Sequence, residues 1–389
     1  MMAGARRFSR WMRRDALPVF LRAGIYDQPP YPRAFREEIP AVAALMRSRV
    51  QLRQLYVFAH ATAAGWIDAG EQVLACERTA LPAFRLADGP FLFALGDAGA
   101  AREINTYEQA FALLAYSALY QMSGDAAFRL KAQRLHDWMK RHLALAEGGY
   151  ALNTQRPPLL SQNPNMHLFE ACLNWWRATG DSRWEQESHH LYQLFMRRFF
   201  NHRRQCLVEF FAAGWQPALE VSPQVDPGHH HEWTWLLYEY QRQSGIDTAE
   251  VRAALQRFAR SHGENPASGA VMNELRWDGA PLRAASRLWC QTERIKADVV
   301  NCRDGATPGP DRDIDTHVEA MFAAFIHGEP RGLYCDEITS AGERISRPTP
   351  SSTLYHLYVA CCELDRLAAE QPGVAPDLGR VASGQSGPP

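Results

Sequence analysis

Residues 226–240 read DPGHHHEWTWLLYEY. Three consecutive histidines followed by a glutamate can bind a metal or move a proton, so geometry has to decide between them. The Pro-Gly start and the apolar, aromatic run that follows predict a helix, on which neighbours lie ~100° apart. His229, His230 and His231 then point in three directions and cannot jointly hold one ion. His229 and Glu232 are three apart and share a face, with Trp235 three further along. The spacing reads as an imidazole near a carboxylate above an aromatic wall. A metal site on His229 and Glu232 would need further ligands from other helices. His230 and His231 are expected in solvent or behind the site.

Similar polar residues interrupt other apolar stretches: Arg53 in RVQLRQLY, Tyr107 and Glu108 in NTYEQAF, His167 and Glu170 in NPNMHLFEA. Trp289 and Glu293 follow in LWCQTERIK, and His356 in SSTLYHLY. Imidazole, with an ordinary pKa near ~6.5, moves protons at neutral pH. His229 and His356 on opposite sides of a cavity could pass a proton between adjacent carbons of a bound sugar. Glu232 and Glu293 would orient the imidazoles. Arg53 and His167 would bind hydroxyl or carbonyl oxygens, and Trp235, Trp289 and Tyr107 would offer flat faces to a pyranose ring. Other readings stay open. The aromatics could simply fill the interior, Glu232 and Glu293 could be a glycosidase pair ~5–9.5 Å apart, or the cavity could bind without catalysis. No GxSxG, GxGxxG or GxxxxGK[ST] motif is present, and Cys290, ~100° around the helix from Trp289, reads as packing. No cofactor and no metal are expected.

The elements that must position these residues are helices in pairs. Apolar periodicity with start and stop signals predicts twelve: near 7–21, 50–67, 71–87, 105–123, 126–145, 164–179, 182–201, 228–243, 247–263, 285–300, 312–327 and 350–369. From residue 50 onward, alternate helices start roughly 55–65 residues apart, the mark of a repeated helical hairpin. Turns within pairs are short, as in MSGD (122–125). Links between pairs are long and carry strand-like pieces, as in CLVEFFAAGWQPALEVSPQVDPG (206–228). The expectation is an all-α (α/α)6 barrel with short β-hairpins in the long loops on one face. The 7–21 helix would close the ring beside the last helix, and the site would form at the long-loop end. An open helical solenoid fits the same periodicity.

The 389-residue chain has a net charge of −1, so no global field draws it to nucleic acid or an anionic membrane. No apolar run approaches the ~20 residues of a membrane span. The basic N-terminus is interrupted by Arg13, Arg14 and Asp15 and reads as a surface helix rather than an export signal. Eight cysteines without a CxxC pair suggest reduced thiols in a cytoplasmic protein. Residues 1–370 are expected as one domain and 371–389, rich in Gly, Pro and Ser, as a disordered tail. A homodimer stays open.

Over roughly residues 35–365 the chain resembles the N-acylglucosamine 2-epimerase superfamily. The resemblance rests on RQLYVFAHA, YEQAFALLAY, NPNMHLFEA, PGHHHEWTWLL, LWCQTERIKA and TLYHLY, in that order. It implies an (α/α)6 barrel and metal-independent proton transfer through a cis-enediolate at C1 and C2 of an open-chain monosaccharide. His229 and His356 match the family's two catalytic histidines. Arg53, His167, Glu232, Trp235, Trp289 and Glu293 match its substrate-contacting and supporting positions. Glu108 stands where an Asp is frequent. PTPSSTLYHLY lacks the approach and trailing residues of the cellobiose epimerases and is more similar to the D-mannose and sulfoquinovose isomerase branch. The resemblance therefore implies aldose–ketose isomerisation, D-mannose to D-fructose, with 2-epimerisation as the alternative.

Overall fold

Gly-Asp recurs where one helix hands over to the next, at Gly124-Asp125 and Gly180-Asp181. In the computed structural model, which describes residues 3–26, 33–41, 45–87, 89–96, 102–305 and 310–370, both glycines are left-handed, with φ of 70° and 63°. Each ends its helix as only a residue without a Cβ does cheaply. The aspartate that follows accepts a backbone N–H of the next helix, Ala127 at 2.8 Å and Arg183 at 3.0 Å, and so caps it. This chemistry makes tight antiparallel pairs.

In chain order the helices are α1 (Ala3–Trp11) and α2 (Leu17–Ala23), joined by a π-helical turn, then α3 (Ser48–Ala63), α4 (Gly70–Thr79), α5 (Thr106–Ser123), α6 (Ala126–His142), α7 (Gln162–Thr179), α8 (Ser182–Leu194), α9 (Pro227–Ser244), α10 (Ala249–His262), α11 (Leu288–Asp304), α12 (Pro310–Phe325) and α13 (Leu354–Glu370). The odd-numbered helices from α3 to α13 form an inner ring, and the others wrap it. Helix α1 packs on α12 and α13, closing the circle beside the last helix as expected. A helix surrounded by others is buried on every side. Accordingly, every residue is buried over Val50–Ala59 of α3, Pro227–Leu237 of α9 and Cys290–Asn301 of α11.

The long loops form a hoop at one end. The residue pair entering each inner helix lies antiparallel to the next loop round: Arg47 opposite Ala94, Asn105 opposite Asn153, Ser161 opposite Phe210, Val225 opposite Leu275 and Arg287 opposite Glu337. Thr349 opposite Ile39 closes it. Hairpins within one loop occur as well, at Phe210–Ala212 with Gln216–Pro217 and at Glu274–Arg276 with Pro281–Arg283. The expected 71–87 helix stops at Thr79 and gives way to a 3-10 turn over Leu81–Phe84, because Pro82 has no N–H to continue it. The segment expected as a disordered tail, 371–389, lies outside the described residues. Among the described residues no helix is long and apolar enough to cross a membrane.

Candidate active site

The first turns of the inner helices meet under the hoop and line a cavity of about 600 Å3, a size suited to a small ligand. Six helix N-termini converge there, and each directs a partial positive charge inward. Such a field favours negative charge developing on a bound substrate.

His229 stands on the first turn of α9. The Cβ of any residue larger than Gly228 would come within 2.6 Å of the Trp289 indole, so this glycine lets the ring lie against the helix start. The two rings have centroids 5.2 Å apart. His229 Nδ1 faces two carboxylates, Glu209 at 3.0 Å and Asp226 at 3.4 Å. Glu209 is held by Gln162, whose Nε2 donates to it at 2.8 Å, while Gln162 Oε1 accepts from Trp233 Nε1 at 2.7 Å. Burial disfavours a charged imidazole, but Glu209 above all, then Asp226 and Glu232, outweigh it and push His229 up to about 10. His229 is therefore an imidazolium at neutral pH.

His356, on the first turn of α13, is the opposite case. Its ring lies 5.6 Å from the same Trp289. Burial first, then Arg53 and Lys296, hold it well below the usual histidine range, so it is neutral. Its Nδ1 lies 2.8 Å from Glu293 Oε1. Burial raises Glu293 well above the usual carboxylate range, the Lys296 ammonium pulls against it, and Glu232 and Glu170 add to the rise. With Glu293 ionised it only accepts, so Nδ1 carries the proton and Nε2 has the free lone pair. Two imidazoles flanking one indole are thus set in opposite protonation states.

Arg53 donates to the Tyr107 hydroxyl at 2.6 Å and the Ser352 carbonyl at 3.3 Å, with its guanidinium 4.3 Å over Phe111. His167 Nδ1 is 3.2 Å from Glu170 Oε2 and 4.0 Å from Glu232 Oε1, and Tyr355 donates its hydroxyl to Glu170. Both carboxylate oxygens of Glu232 are buried without a hydrogen-bond partner among the described residues. Such a group is costly unless a ligand's hydroxyls complete it.

Of the residues singled out from sequence, Arg53, Tyr107, His167, His229, Glu232, Trp289 and His356 line the cavity. Glu293 lies behind His356, fully buried. Trp235 sits deeper and does not line the cavity; its ring is a platform for the Lys296 ammonium, 3.8 Å away. The partner of His229 is Glu209 rather than Glu232, because the 206–217 loop folds back over the start of α9. The signal was a single carboxylate inside the apolar run CLVEFF. His230 and His231 are both buried, not solvent-facing. His230 Nε2 accepts the Leu207 N–H at 3.0 Å and its Nδ1 donates to the Asp226 carbonyl at 2.9 Å, which ties the loop to the helix. His231 is kept well below the usual range by burial and Arg294.

Among the described residues, three groups bring a histidine nitrogen and two carboxylate oxygens within 4.8 Å of one another: Glu209–Asp226–His229, His167–Glu170–Glu232 and Glu232–Glu293–His356. These are the donors that could hold a divalent ion. In each group the histidine Nδ1 already lies at hydrogen-bond distance from a carboxylate oxygen.

A family profile described as N-acylglucosamine 2-epimerase (GlcNAc 2-epimerase) matches residues 35–360. Over 335 residues the chain is 32% identical to a mannose-6-phosphate isomerase of Rhizobium meliloti (strain 1021), covering 82% of this chain and 85% of the relative. In fold it is similar to a D-mannose isomerase crystal structure, with a TM-score of 0.83, 17% identity and coverage of 94% and 98%. The cellobiose 2-epimerase of Spirochaeta thermophila DSM 6192 gives a TM-score of 0.80 at 20% identity, covering 94% and 96%.

Proposed function

Because the chain belongs to the N-acylglucosamine 2-epimerase family, whose relatives here are sugar isomerases and epimerases, we propose that it is an aldose–ketose isomerase interconverting D-mannose and D-fructose without metal or cofactor. One observation carries this reading: His356 and His229 flank Trp289 at 5.6 and 5.2 Å, with burial holding His356 well below the usual histidine range and Glu209 outweighing burial to raise His229. His356 Nε2 takes the C2 proton of the open-chain aldose. The electron pair moves into the C1–C2 bond, and negative charge develops on O1 in a cis-enediolate. His229 gives its proton to O1 and recovers one from O2. His356 returns its proton to C1, leaving the carbonyl at C2. Arg53 and His167 hold the oxygens, and Glu232 accepts hydroxyl protons. The 32% identical relative, named for the 6-phosphate of mannose, supports a hexose aldose as substrate.

A 2-epimerase is the second reading, favoured by the proton held on His229: delivered to the other face of C2, it gives the epimer. A glycosidase is disfavoured because Glu293 does not line the cavity and is tied to His356 and Lys296. We place the enzyme in the cytoplasm, where its eight cysteine thiols would stay reduced. Incubation with D-mannose, and separately its 6-phosphate, in D2O followed by NMR tests the proposal. Fructose deuterated at C1 is the expected product. Glucose deuterated at C2 would make the enzyme an epimerase, and no exchange with either sugar would overturn the reading.

A further inference from the structure

Three buried carboxylates approach one another from three helices: Glu170 of α7, Glu232 of α9, which also lines the cavity, and Glu293 of α11. One buried cation lies among them. Lys296 is 0% exposed. Its Nζ lies 2.6 Å from Glu293 Oε2 and 3.8 Å from the Trp235 ring centroid. A lysine normally carries its ammonium to water along a flexible stem. One held this deep, three residues from Glu293 on the same helix face, is kept against its solvation.

We propose that Lys296 is a positioning residue: its ammonium holds Glu293 as a carboxylate, so that Glu293 accepts the Nδ1–H of His356 and leaves Nε2 bare for the C2 proton. The catalytic consequence rests on the proton-transfer reading above. The geometry itself is a relay, Nζ to Oε2 at 2.6 Å and Oε1 to Nδ1 at 2.8 Å. Glu293 is faced by Lys296 from its own helix, by Glu232 from α9, by Glu170 from α7 and by His356 from α13. Three carboxylates in a dry pocket do not all stay ionised without a cation. Without Lys296, Glu293 takes up a proton. It then turns from acceptor to donor toward Nδ1, and the imidazole proton moves to Nε2, capping the nitrogen that must act as base. Glu293, Glu232 and Glu170 together overcome burial and hold Lys296 above the usual lysine range; burial raises Glu293 well above the usual carboxylate range, and Lys296 is the foremost group opposing that rise. The same contact gives Trp235 a function, as the floor on which the ammonium rests.

The test is 15N NMR of histidine-labelled protein at neutral pH, with the His356 signals assigned by their loss in His356→Asn. Wild type is expected to show His356 protonated at Nδ1 and unprotonated at Nε2. In Lys296→Met the Nε2 signal should move toward the protonated position. On a turned-over sugar, kcat should fall roughly 10- to 100-fold with little change in KM, the usual cost of losing an orienting partner. An unchanged His356 spectrum in Lys296→Met overturns the proposal. Should that variant not fold, Glu293→Gln and Glu293→Gln/Lys296→Met carry the test. A residue acting only through Glu293 adds no further loss of kcat in the double variant, and a further loss overturns the proposal. If wild type turns over no sugar, the proposed reaction fails while the NMR experiment still decides the role of Lys296.

Discussion

Glu209→Gln tests the site most directly, because it removes a charge and keeps a hydrogen-bond acceptor of the same size. The rise of His229 from 6.5 to about 10 corresponds to roughly 5 kcal/mol in favour of the imidazolium, at ~1.36 kcal/mol per unit. Glu209, at 3.0 Å, is the foremost of the groups producing it. With Gln there, burial pulls the value down and only Asp226 at 3.4 Å and Glu232 oppose it. We expect a fall of about two units or more, roughly 3 kcal/mol. Catalysis as drawn needs His229 protonated, so kcat/KM should decline as pH rises through its value. That limb should lie near pH 10 in wild type and move toward neutrality in Glu209→Gln, with much of the activity kept below it. Stability has the same sign. The folded value is raised, so the contribution of the pair is complete below pH 6.5 and is lost as pH climbs through about 10. The unfolding free energies of the two proteins should therefore converge at high pH. The assays are the pH profile of kcat/KM and a 15N titration of His229. A limb that stays within half a unit in Glu209→Gln would refute the electrostatic account of the site.

His356→Asn should lower kcat by about 10²- to 10⁴-fold, the usual share of a general base, with the thermal midpoint little changed; a variant that keeps turnover removes His356 from the chemistry. His230→Phe should take the imidazole acceptor from the Leu207 N–H and the imidazole donor from the Asp226 carbonyl, which keeps the backbone N–H groups of residues 229 and 230, and cost about 1–3 kcal/mol in urea unfolding, while the stack on Phe258 survives; an unchanged urea midpoint would contradict this. Gly228→Ala should displace the Trp289 indole, since the added carbon would sit 2.6 Å from it. A raised KM and altered tryptophan fluorescence would report that displacement. Exhaustive dialysis against EDTA should leave the rate unchanged, and a loss restored only by a divalent ion would sink the histidine-only mechanism.

The ring of helices was legible because its signals are local: caps, glycines and apolar runs lie within a few residues of what they determine. His229, Glu232 and Trp289 were legible for a related reason, since helical spacing alone places them on inward faces of first turns. Glu209 was not. It sits in an irregular loop between two short strands, and its contact with His229 depends on how that loop folds back, which no periodicity encodes. Trp235 shows the limit of face-sharing. Two residues three apart share a direction but stand a turn apart in depth, and that turn separates the cavity wall from the Lys296 floor. Helix ends moved where backbone chemistry intervened, as at Pro82.

The hoop also has a consequence for the order in which the molecule can be assembled. Its closing pair joins Ile39 to Thr349, and His356, the proposed base, arrives on the last inner helix, while its counterpart His229 lies mid-chain. A chain emerging from the ribosome N-terminus first holds Arg53, His167 and His229 long before it holds His356. The half-built ring then exposes the inner faces of α3 and α11 that α13 later covers. Catalytic competence and burial of that seam therefore arrive in a single late event. Shortening the chain anywhere before α13 should abolish both together rather than erode activity by degrees.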